Sequence, residues 1–439
     1  MRRRYESWGR FPRATHAAVL PVIWRSEPPP LGDLDTSVLP FACGRSYGDS
    51  CLNDGGVLLD VAPLKRFIAF DDATGILRCE AGVTLAEILE LVVPRGWFPP
   101  VVPGTKWVSV GGAIANDIHG KNHHVAGTFG CHVTGFELLR SSGERLFCSP
   151  EDNAGLFQAT IGGLGLTGLI LWAELRLKRI PGAAIAMERI RFRRLEEFFE
   201  LSASDSDHEY TVAWVDCLAL RSRLGRGLYM RGDHAPAPGG AELRPATAPS
   251  RLSVPFDPPG ILLNSLTVSA FNAVYYRSQL RAKVKKVVPY DPFFFPLDGV
   301  HDWNRLYGRR GFLQYQCVVP DEGERGPIRT ILERISRARE ASFLAVLKRF
   351  GSISSPGLLS FPRPGITLAL DFRYRGAPTL RLLDHLDEVV RAAGGAVYPA
   401  KDARMSAESF RRYFPGWETF AAYVDPQFSS SFWRRVQAA

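Results

Sequence analysis

The sequence lacks the features that mark several classes of protein. Its seven cysteines are an odd number and include no Cys-x-x-Cys pair, so neither a disulfide framework nor a zinc ribbon is indicated. No window approaches the roughly 18 uninterrupted apolar residues that a transmembrane helix needs. The first residues, "MRRRYESWGRFPRA", contain no apolar signal-peptide core. We therefore expect reduced thiols and a cytoplasmic protein with no signal peptide or membrane span, which leaves peripheral contact with the inner membrane open.

The sequence also lacks a nucleic-acid-binding motif. The net charge is +9, but the arginines are scattered in pairs along the whole chain and form no basic stripe. We therefore expect no nucleic-acid partner. The positive balance suits a phosphorylated substrate instead.

The residues that are present indicate an α+β fold. Forty-one glycines and 32 prolines separate short β-type runs from helical patterns. Thr84 and Glu87 form a capping box that predicts a helix. Near residue 183 the pattern changes to longer alternating strands and helices. Residues 234–260 are rich in Pro, Ala and Gly, which predicts a mobile surface loop.

One glycine motif is misleading in its context. Residues 163–168, "GLGLTG", fit the dinucleotide fingerprint G-x-G-x-x-G. That fingerprint requires a strand before it and a helix after it, because the helix N-terminus holds the pyrophosphate. Here a helical pattern precedes the motif and the β-rich "LILWAEL" follows it, so close backbone packing is the better interpretation.

The stretch "AIANDIHGKNHHVAGTFG" carries three of the nine histidines. His123 and His124 are adjacent and would point apart on a strand, and Asp117 is the only nearby carboxylate, which is a poor ligand set for a metal. We therefore predict no metal site. A polar loop with satisfied side chains and a loop that contacts a cofactor and substrate both remain open.

Nine stretches together indicate a family. They are "GRSYGD", "PGT", "VGGAIANDIHGKNHH", "GLTG", "DWNRLYGRRGFLQYQ", "SFLAVLKRFG", "LSFP", "LDF" and "YPAKDAR". In this order the chain resembles the vanillyl-alcohol-oxidase-type (PCMH-type) FAD flavoproteins and, within them, the decaprenylphosphoryl-β-D-ribose oxidase subgroup. The resemblance implies a PCMH-type FAD-binding domain of two α/β subdomains over residues 1–182. A substrate domain, an antiparallel sheet flanked by helices, would follow over residues 183–395, with a return to the FAD domain over 396–439.

The resemblance also implies which residues contact FAD. Relatives that bind flavin covalently use a histidine at the position of Arg45, so non-covalent FAD is expected. The pyrophosphate loop would be Phe41, Ala42, Cys43, Gly44, Arg45, Ser46, Tyr47, Gly48, Asp49 and Ser50. Further cofactor contacts would come from Gly104, Ser109, Val110, Gly111, Gly112, Asn116, Asp117, Ile118, His119, Ile170 and Tyr398.

Six polar side chains are candidates for the reacting sugar. Gln314 and Gln316 alternate in an apolar strand and so point to one face, where buried amides need partners such as sugar hydroxyls. The resemblance implies that Lys348 and Lys401 are substrate residues too, that His119 and Lys121 face the substrate, and that His119 lies on the opposite side of the sugar from Lys401 and Gln316.

The implied function is FAD-dependent oxidation of the C2 hydroxyl of a polyprenyl-phosphate-linked pentose, the first half of a ribose-to-arabinose type epimerisation in cell-wall biosynthesis. A short-chain NADH-dependent reductase would be the partner. An alditol or sugar-lactone oxidase on the same fold, or a basic binding module that has lost flavin, are the alternatives. This sequence departs from the subgroup pattern at three places. Ala369 and Phe294 stand where the subgroup has cysteine and tyrosine, and these two changes bear on substrate choice. Prolines 28–30 replace an expected helix, which bears on the structure of the N-terminal unit.

Overall fold

The structure is a computed structural model that describes residues 5–236, 252–258, 263–322, 326–340 and 342–438. Its strands and helices follow the α+β pattern predicted from the sequence. Small sheets occupy the first 180 residues, and one large antiparallel sheet occupies most of the remainder.

The N-terminal part contains two principal sheets. The first is parallel in the order β1-β3-β2, with strands β1 (Ala18–Pro21), β2 (Val38–Phe41) and β3 (Val57–Asp60). The other strands are β4 (Phe67–Asp71), β5 (Ile76–Glu80), β6 (Trp97–Phe98), β7 (Val133–Leu139), β8 (Arg145–Cys148), β9 (Leu169–Arg176) and β10 (Lys178–Arg179). Five of them form the second sheet, antiparallel in the order β4-β5-β9-β7-β8, while β6 pairs with β10.

Four short helices connect these strands, and local sequence explains their ends. They are α1 (Leu85–Val92), α2 (Val110–Ala115), α3 (His123–Ala126) and α4 (Ala154–Thr160). The predicted capping box is confirmed: the Thr84 hydroxyl accepts from the Glu87 N–H at 3.2 Å, and the Glu87 carboxylate accepts from the Thr84 N–H at 2.8 Å. Ser109 caps α2 by accepting from the Gly112 N–H at 3.2 Å.

The second half is built on an eight-stranded antiparallel sheet. Its order is β15-β11-β13-β12-β18-β19-β17-β20. The strands of this half are β11 (Ala184–Phe192), β12 (Tyr210–Val215), β13 (Gly227–Ala235), β14 (Leu252–Ser253), β15 (Lys283–Pro289), β16 (Val300–His301), β17 (Phe312–Val319), β18 (Ala345–Phe350), β19 (Gly365–Arg373) and β20 (Ala396–Val397). Strands β14 and β16 pair separately.

Three of the helices in this half cover one face of the sheet, and the other face is directed toward a cavity. The helices are α5 (Leu195–Ser204), α6 (Ser265–Arg277), α7 (Tyr290–Phe294), α8 (Pro327–Ala338), α9 (Ala377–Ala392), α10 (Ala407–Tyr413), α11 (Trp417–Ala421) and α12 (Ser431–Gln437). The apolar sides of α5, α8 and α9 share one core with the sheet. Gln314 and Gln316 lie on the opposite face and line the cavity, as their alternation predicted.

The C-terminal segment returns to the first sheet and its loop. Arg435 binds Asp49 at 2.6 Å and Asp402 at 2.9 Å. The Tyr47 N–H donates to the Ala400 carbonyl at 2.9 Å, and Val38 pairs with Phe428. These contacts tie the loop after β2 to the last part of the chain. The domain limits at residues 182 and 395 stay predictions.

Two local predictions need comment. His123 and His124 were expected on a strand, but they begin the short helix α3, where the Asn122 carbonyl accepts from the N–H groups of Val125 and Ala126. That expectation was wrong. The predicted mobile loop at 234–260 lies largely outside the described residues. Its described end contains β14 and an ion pair of 2.6 Å between Asp257 and Arg10.

Within the described residues, none of the helices combines the length and apolar character needed to cross a bilayer.

Candidate active site

A cavity of about 590 Å³ separates the N-terminal sheets from the eight-stranded sheet. This volume lies in the range of small-molecule and cofactor sites, roughly 300–1,000 Å³. Its wall holds three lysines and two arginines, and no Asp or Glu of the described chain lines it. Such a wall favours an anionic ligand, because burying cations without counter-charges is costly.

The loop after β2 supplies one end of the cavity. Two of its polar atoms, Arg45 Nε and Ser50 Oγ, are buried without a hydrogen-bond partner in the part of the chain that the structure describes. The Arg45 guanidinium stacks 3.9 Å above the Trp8 ring. Because buried polar atoms normally have partners, these two orphans fit a ligand with acceptor oxygens such as a pyrophosphate.

Gly104 gives a second indication of a bound ligand. A Cβ at this cavity-lining position would meet no protein atom within 4 Å, and its φ is outside the left-handed region. Neither protein packing nor backbone conformation therefore requires glycine here. A ligand lying close to the backbone would explain it.

The segment after α2 runs along the cavity and is held by distant residues. The Tyr398 hydroxyl donates to the Asn116 carbonyl at 2.7 Å. Asn116, Ile118, His119, Gly120 and Lys121 all line the cavity. The predicted contact of this segment with a ligand is therefore sterically possible at these five residues.

His119 lies where the two halves of the molecule meet. Its Nε2 is 2.8 Å from the Gln316 amide nitrogen, which also donates to Thr367 Oγ1 at 3.2 Å. Its Nδ1 is 3.0 Å from Lys348 Nζ. Burial, together with Lys348, holds the His119 pKa well below its ordinary value, so the ring is neutral. With Gln316 donating to Nε2, the imidazole proton is on Nδ1 and faces a neutral Lys348 amine.

Three lysines around the cavity have strongly lowered pKa values. Burial lowers the pKa of Lys348, Lys401 and Lys121 to about 7 in each case. Lys348 also opposes protonation of the other two by charge repulsion. Each of these amines can therefore exchange a proton near neutral pH, which suits general acid–base chemistry.

Lys401 is positioned by Tyr47, from the predicted pyrophosphate loop, and by Asp371, which the sequence analysis did not single out. Its Nζ lies 3.8 Å from the centre of the Tyr47 ring. Asp371 lies behind the cavity wall, where it accepts from Gln314 at 2.6 Å and from Tyr307 at 3.2 Å. Burial raises the Asp371 pKa to about 7, and this carboxylate in turn favours the charged form of Lys401.

Lys121 lies beside the aromatic side of the cavity. It hydrogen-bonds the Phe293 carbonyl and lies 4.6 Å from the centre of the Phe293 ring and 5.6 Å from that of Phe294. Phe294 and Ala369, the two positions that depart from the subgroup pattern, both line the cavity.

The comparisons with known proteins identify the family. A family model described as an FAD binding domain matches residues 32–149. The decaprenylphosphoryl-beta-D-ribose oxidase of Mycolicibacterium smegmatis is 36% identical over a 455-residue alignment, which covers 99% of this chain and 97% of that protein. This chain belongs to that family. It is an FAD-dependent oxidoreductase, as the resemblance predicted.

Two further relatives show how the similarity is distributed. A protein of Streptomyces coelicolor, described as uncharacterized and lying in the mprA 5′ region, is 36% identical over 81% of this chain and all of its own length. The human Delta(24)-sterol reductase is 31% identical, but over only 26% of this chain. Full-length similarity is therefore shared with the oxidase family, while short matches extend to enzymes with other substrates.

The structure brings most of the predicted cofactor residues to the cavity wall. Four of them do not line it. Val110 is fully buried in the core, Gly48 packs against the Asp402 carbonyl, and Asp49 pairs with Arg435. Asp117 accepts from the Gly130 N–H at 2.8 Å and the Ser360 hydroxyl at 2.6 Å. These four residues lie behind the segments that line the cavity, which we call the FAD loops, and support those segments.

The histidine-rich stretch contains no metal cluster in the described chain, where no group of three or more His, Cys, Asp or Glu side chains is arranged to bind a metal ion.

We predict that Gly104→Val abolishes FAD binding but leaves the fold intact, because the added side chain would occupy the ligand's space. Gly299→Val is the matched control, since a Cβ there also meets no protein atom within 4 Å but Gly299 does not line the cavity. Flavin absorbance per protein and the circular dichroism spectrum measure the two properties. Normal flavin content in the Gly104 variant would contradict the assignment.

FAD should be released completely by acid precipitation, because Arg45 cannot form the covalent bond that a histidine forms at this position in other flavoproteins. Flavin fluorescence in the supernatant and in the washed pellet measures the partition. Flavin that stays with the polypeptide would show a covalent link at another residue.

The stability of the flavin-free protein should rise with pH from about 7.5 to 8.5, above which the five cysteines whose pKa values the fold raises ionise in the unfolded chain and oppose the effect. In this window a lysine with a pKa near 7 is neutral in the folded protein but protonated in the unfolded chain. Raising the pH therefore favours folding, by at most about 1.4 kcal/mol per pH unit for each lysine. In Lys348→Met this slope should be smaller. Urea unfolding at several pH values measures it, and equal slopes in the two proteins would mean that Lys348 stays charged.

Proposed function

We propose that this enzyme oxidises the C2 hydroxyl of a polyprenyl-phosphate-linked pentose to a ketone. The observation that carries the proposal is the convergence of Lys401, Gln316 and His119 on one cavity beside the FAD loops. The full-length similarity to a protein named decaprenylphosphoryl-beta-D-ribose oxidase supports the choice of substrate.

The charge of the cavity agrees with a phosphorylated substrate. Its wall offers cationic side chains and no Asp or Glu of the described chain, so a phosphodiester would supply the missing negative charge. Lys121 and Lys348 are the lysines beside His119 in this arrangement. The amides of Gln314 and Gln316 are suited to sugar hydroxyls, because an amide both donates and accepts.

When bound, FAD would supply the acceptor for the hydride that leaves the substrate carbon. The protein must then take up the hydroxyl proton. Lys401 is the best placed group for this task, because burial gives it a pKa of about 7 and a neutral amine can accept a proton. His119 and Thr367 fix the Gln316 amide through its nitrogen, which leaves the amide oxygen to accept from a sugar hydroxyl, while the Tyr47 ring orients the lysine from its other side.

The partners of the reaction follow from the same proposal. Reduction of the ketone to the epimeric alcohol requires a hydride donor, and a short-chain NADH-dependent reductase would supply it. A prenyl-linked substrate is embedded in a lipid bilayer, so the enzyme would act from the cytoplasm at the surface of the inner membrane.

Oxidation of a free alditol or a sugar lactone on the same fold is the alternative function. A series of substrates distinguishes the two functions. Prenyl-phospho-riboses of several chain lengths should bleach the flavin under anaerobic conditions, whereas free alditols and lactones should not. Bleaching by the free sugars alone would overturn the proposal. A purified protein without flavin absorbance would instead indicate a binding module.

Lys401→Met should retain its flavin spectrum but bleach at least about a hundredfold more slowly, since removing a general base typically costs 10²–10⁴ in rate. In the parent enzyme the bleaching rate should rise with pH through one ionisation near pH 7, because the neutral amine is the active form. Stopped-flow absorbance measures both effects.

The surface lysine substitution Lys65→Met serves as the control and should bleach at the parental rate. A parental rate in Lys401→Met would exclude Lys401 from the reaction. A rate that falls with rising pH would show that the charged lysine acts, as a donor to the developing alkoxide.

A further inference from the structure

The cavity changes from polar to apolar along the eight-stranded sheet. At one end its wall carries Gln314, Gln316 and Thr367 from β17 and β19. Toward β12 and β13 the same face presents Trp214 and Met230. A ligand that extends along this face from the FAD loops therefore passes from hydrogen-bonding groups to hydrocarbon and aromatic surface.

Helix α6 closes the apolar end. The Tyr275 ring lines the cavity and lies 4.7 Å from the Trp214 ring. On the same inner side the Asn272 amide donates to Asp216 at 2.9 Å. Just beyond the helix, Gln279 accepts from Arg189 at 2.5 Å. The inner side of α6 is thus held to the sheet by specific contacts.

The outer side of α6 is apolar and exposed. Leu266, Ala270 and Val274 are four residues apart and so form one stripe, and the exposures of Leu266 and Val274 are 80% and 71%. Leu280, after the helix, is 82% exposed, and Phe271 is 48% exposed. Single exposed apolar residues are ordinary, but a group of this kind marks an interaction surface.

The same part of the chain is strongly basic. Residues 258–290 contain five Lys or Arg and no Asp or Glu. Arg277 ends α6 on the side of the apolar stripe, and Arg281 follows. Lys283 and Lys285 pair with Glu188 on β11, yet Lys285 remains 79% exposed. We call the exposed residues between Leu266 and Lys286 the α6–β15 surface.

We propose that the α6–β15 surface docks on a membrane with anionic lipids. In the same proposal the apolar end of the cavity, beneath α6, receives the hydrocarbon tail of the substrate. Exposed leucine and valine flanked by cations, of which Lys283 and Lys285 share the Glu188 carboxylate, match an interfacial helix: the apolar side chains enter the lipid boundary, and the cations bind the headgroups. The part concerning the tail rests on the proposed function. The docking itself does not.

A lipid surface explains the charge better than a protein partner would. Protein interfaces are depleted in lysine at their core, whereas an anionic leaflet attracts each lysine or arginine near it. Lysines on an edge strand such as β15 can have a different role, which is to prevent that strand from pairing with a strand of another molecule. That role does not account for the exposed stripe on the neighbouring helix.

Vesicle co-sedimentation of the holoenzyme tests the docking. We expect binding to vesicles that contain phosphatidylglycerol, weaker binding at high salt, and little binding to pure phosphatidylcholine. The triple variant Leu266→Gln, Val274→Gln, Leu280→Gln should lose at least about tenfold in binding, as should Arg281→Gln with Lys285→Gln and Lys286→Gln. The double variant Ile23→Gln, Leu220→Gln, which removes similarly exposed apolar residues elsewhere, should bind as the parent does.

Activity separates this proposal from the proposed function. A short-chain, water-soluble prenyl-phospho-ribose should bleach the flavin of the triple variant at the parental rate. A long-chain substrate in vesicles should bleach the flavin of the triple variant more slowly than that of the parent. Vesicle binding by the triple variant at the parental level, or no binding by the parent, would overturn the docking and leave the surface to a protein partner. Vesicle binding without bleaching by any substrate would instead overturn the proposed function alone.

Discussion

The rest of the site depends on the burial of cations around a cavity that has no carboxylate of the described chain on its wall. Such burial is unfavourable, and the molecule reduces the cost by keeping its lysines close to neutral at physiological pH. It also keeps His119 uncharged. A ligand with negative charge would relieve the remaining cost, so the same charge imbalance accounts for FAD and for the phosphorylated substrate that we propose.

This arrangement needs two separately built sheets to meet with high precision. Hydrogen bonds from Gln316 and Lys348 reach His119 across almost 200 residues or more of sequence. The helices behind the large sheet share one core with it, so the cavity face is rigid. On the other side the FAD loops are held by residues such as Asp117 and Asp49, whose side chains bond to protein and do not line the cavity.

Much of this could be predicted from the sequence where the information is local. The capping box at Thr84, the shared face of Gln314 and Gln316, and the strand after "GLGLTG" all follow from spacing or context. The family motifs identified the cofactor. The chemistry of Lys401 could not be derived in this way, because its neighbours Tyr47 and Asp371 are distant in sequence.

The differences between the expectations and the structure have local physical causes as well. Asp117 lies in a motif that contacts the cavity, but its φ of +39° belongs to a sharp turn, and its carboxylate is directed to Ser355 and Ser360. His123 and His124 looked like a strand pair because no helical periodicity is visible in four residues. Side-chain direction within a tight turn depends on such backbone angles, which a residue pattern does not show.

The ion pairs from Arg435 to Asp49 and Asp402 have a consequence for biogenesis. Arg435 is synthesised 386 residues after Asp49, and domains begin to fold during synthesis. The nascent chain can form its first sheets early, but the loop predicted to hold the flavin diphosphate lacks this clamp until Arg435 has emerged. We therefore expect FAD to be retained only by chains that include Arg435, so that flavin loading distinguishes them from shorter ones.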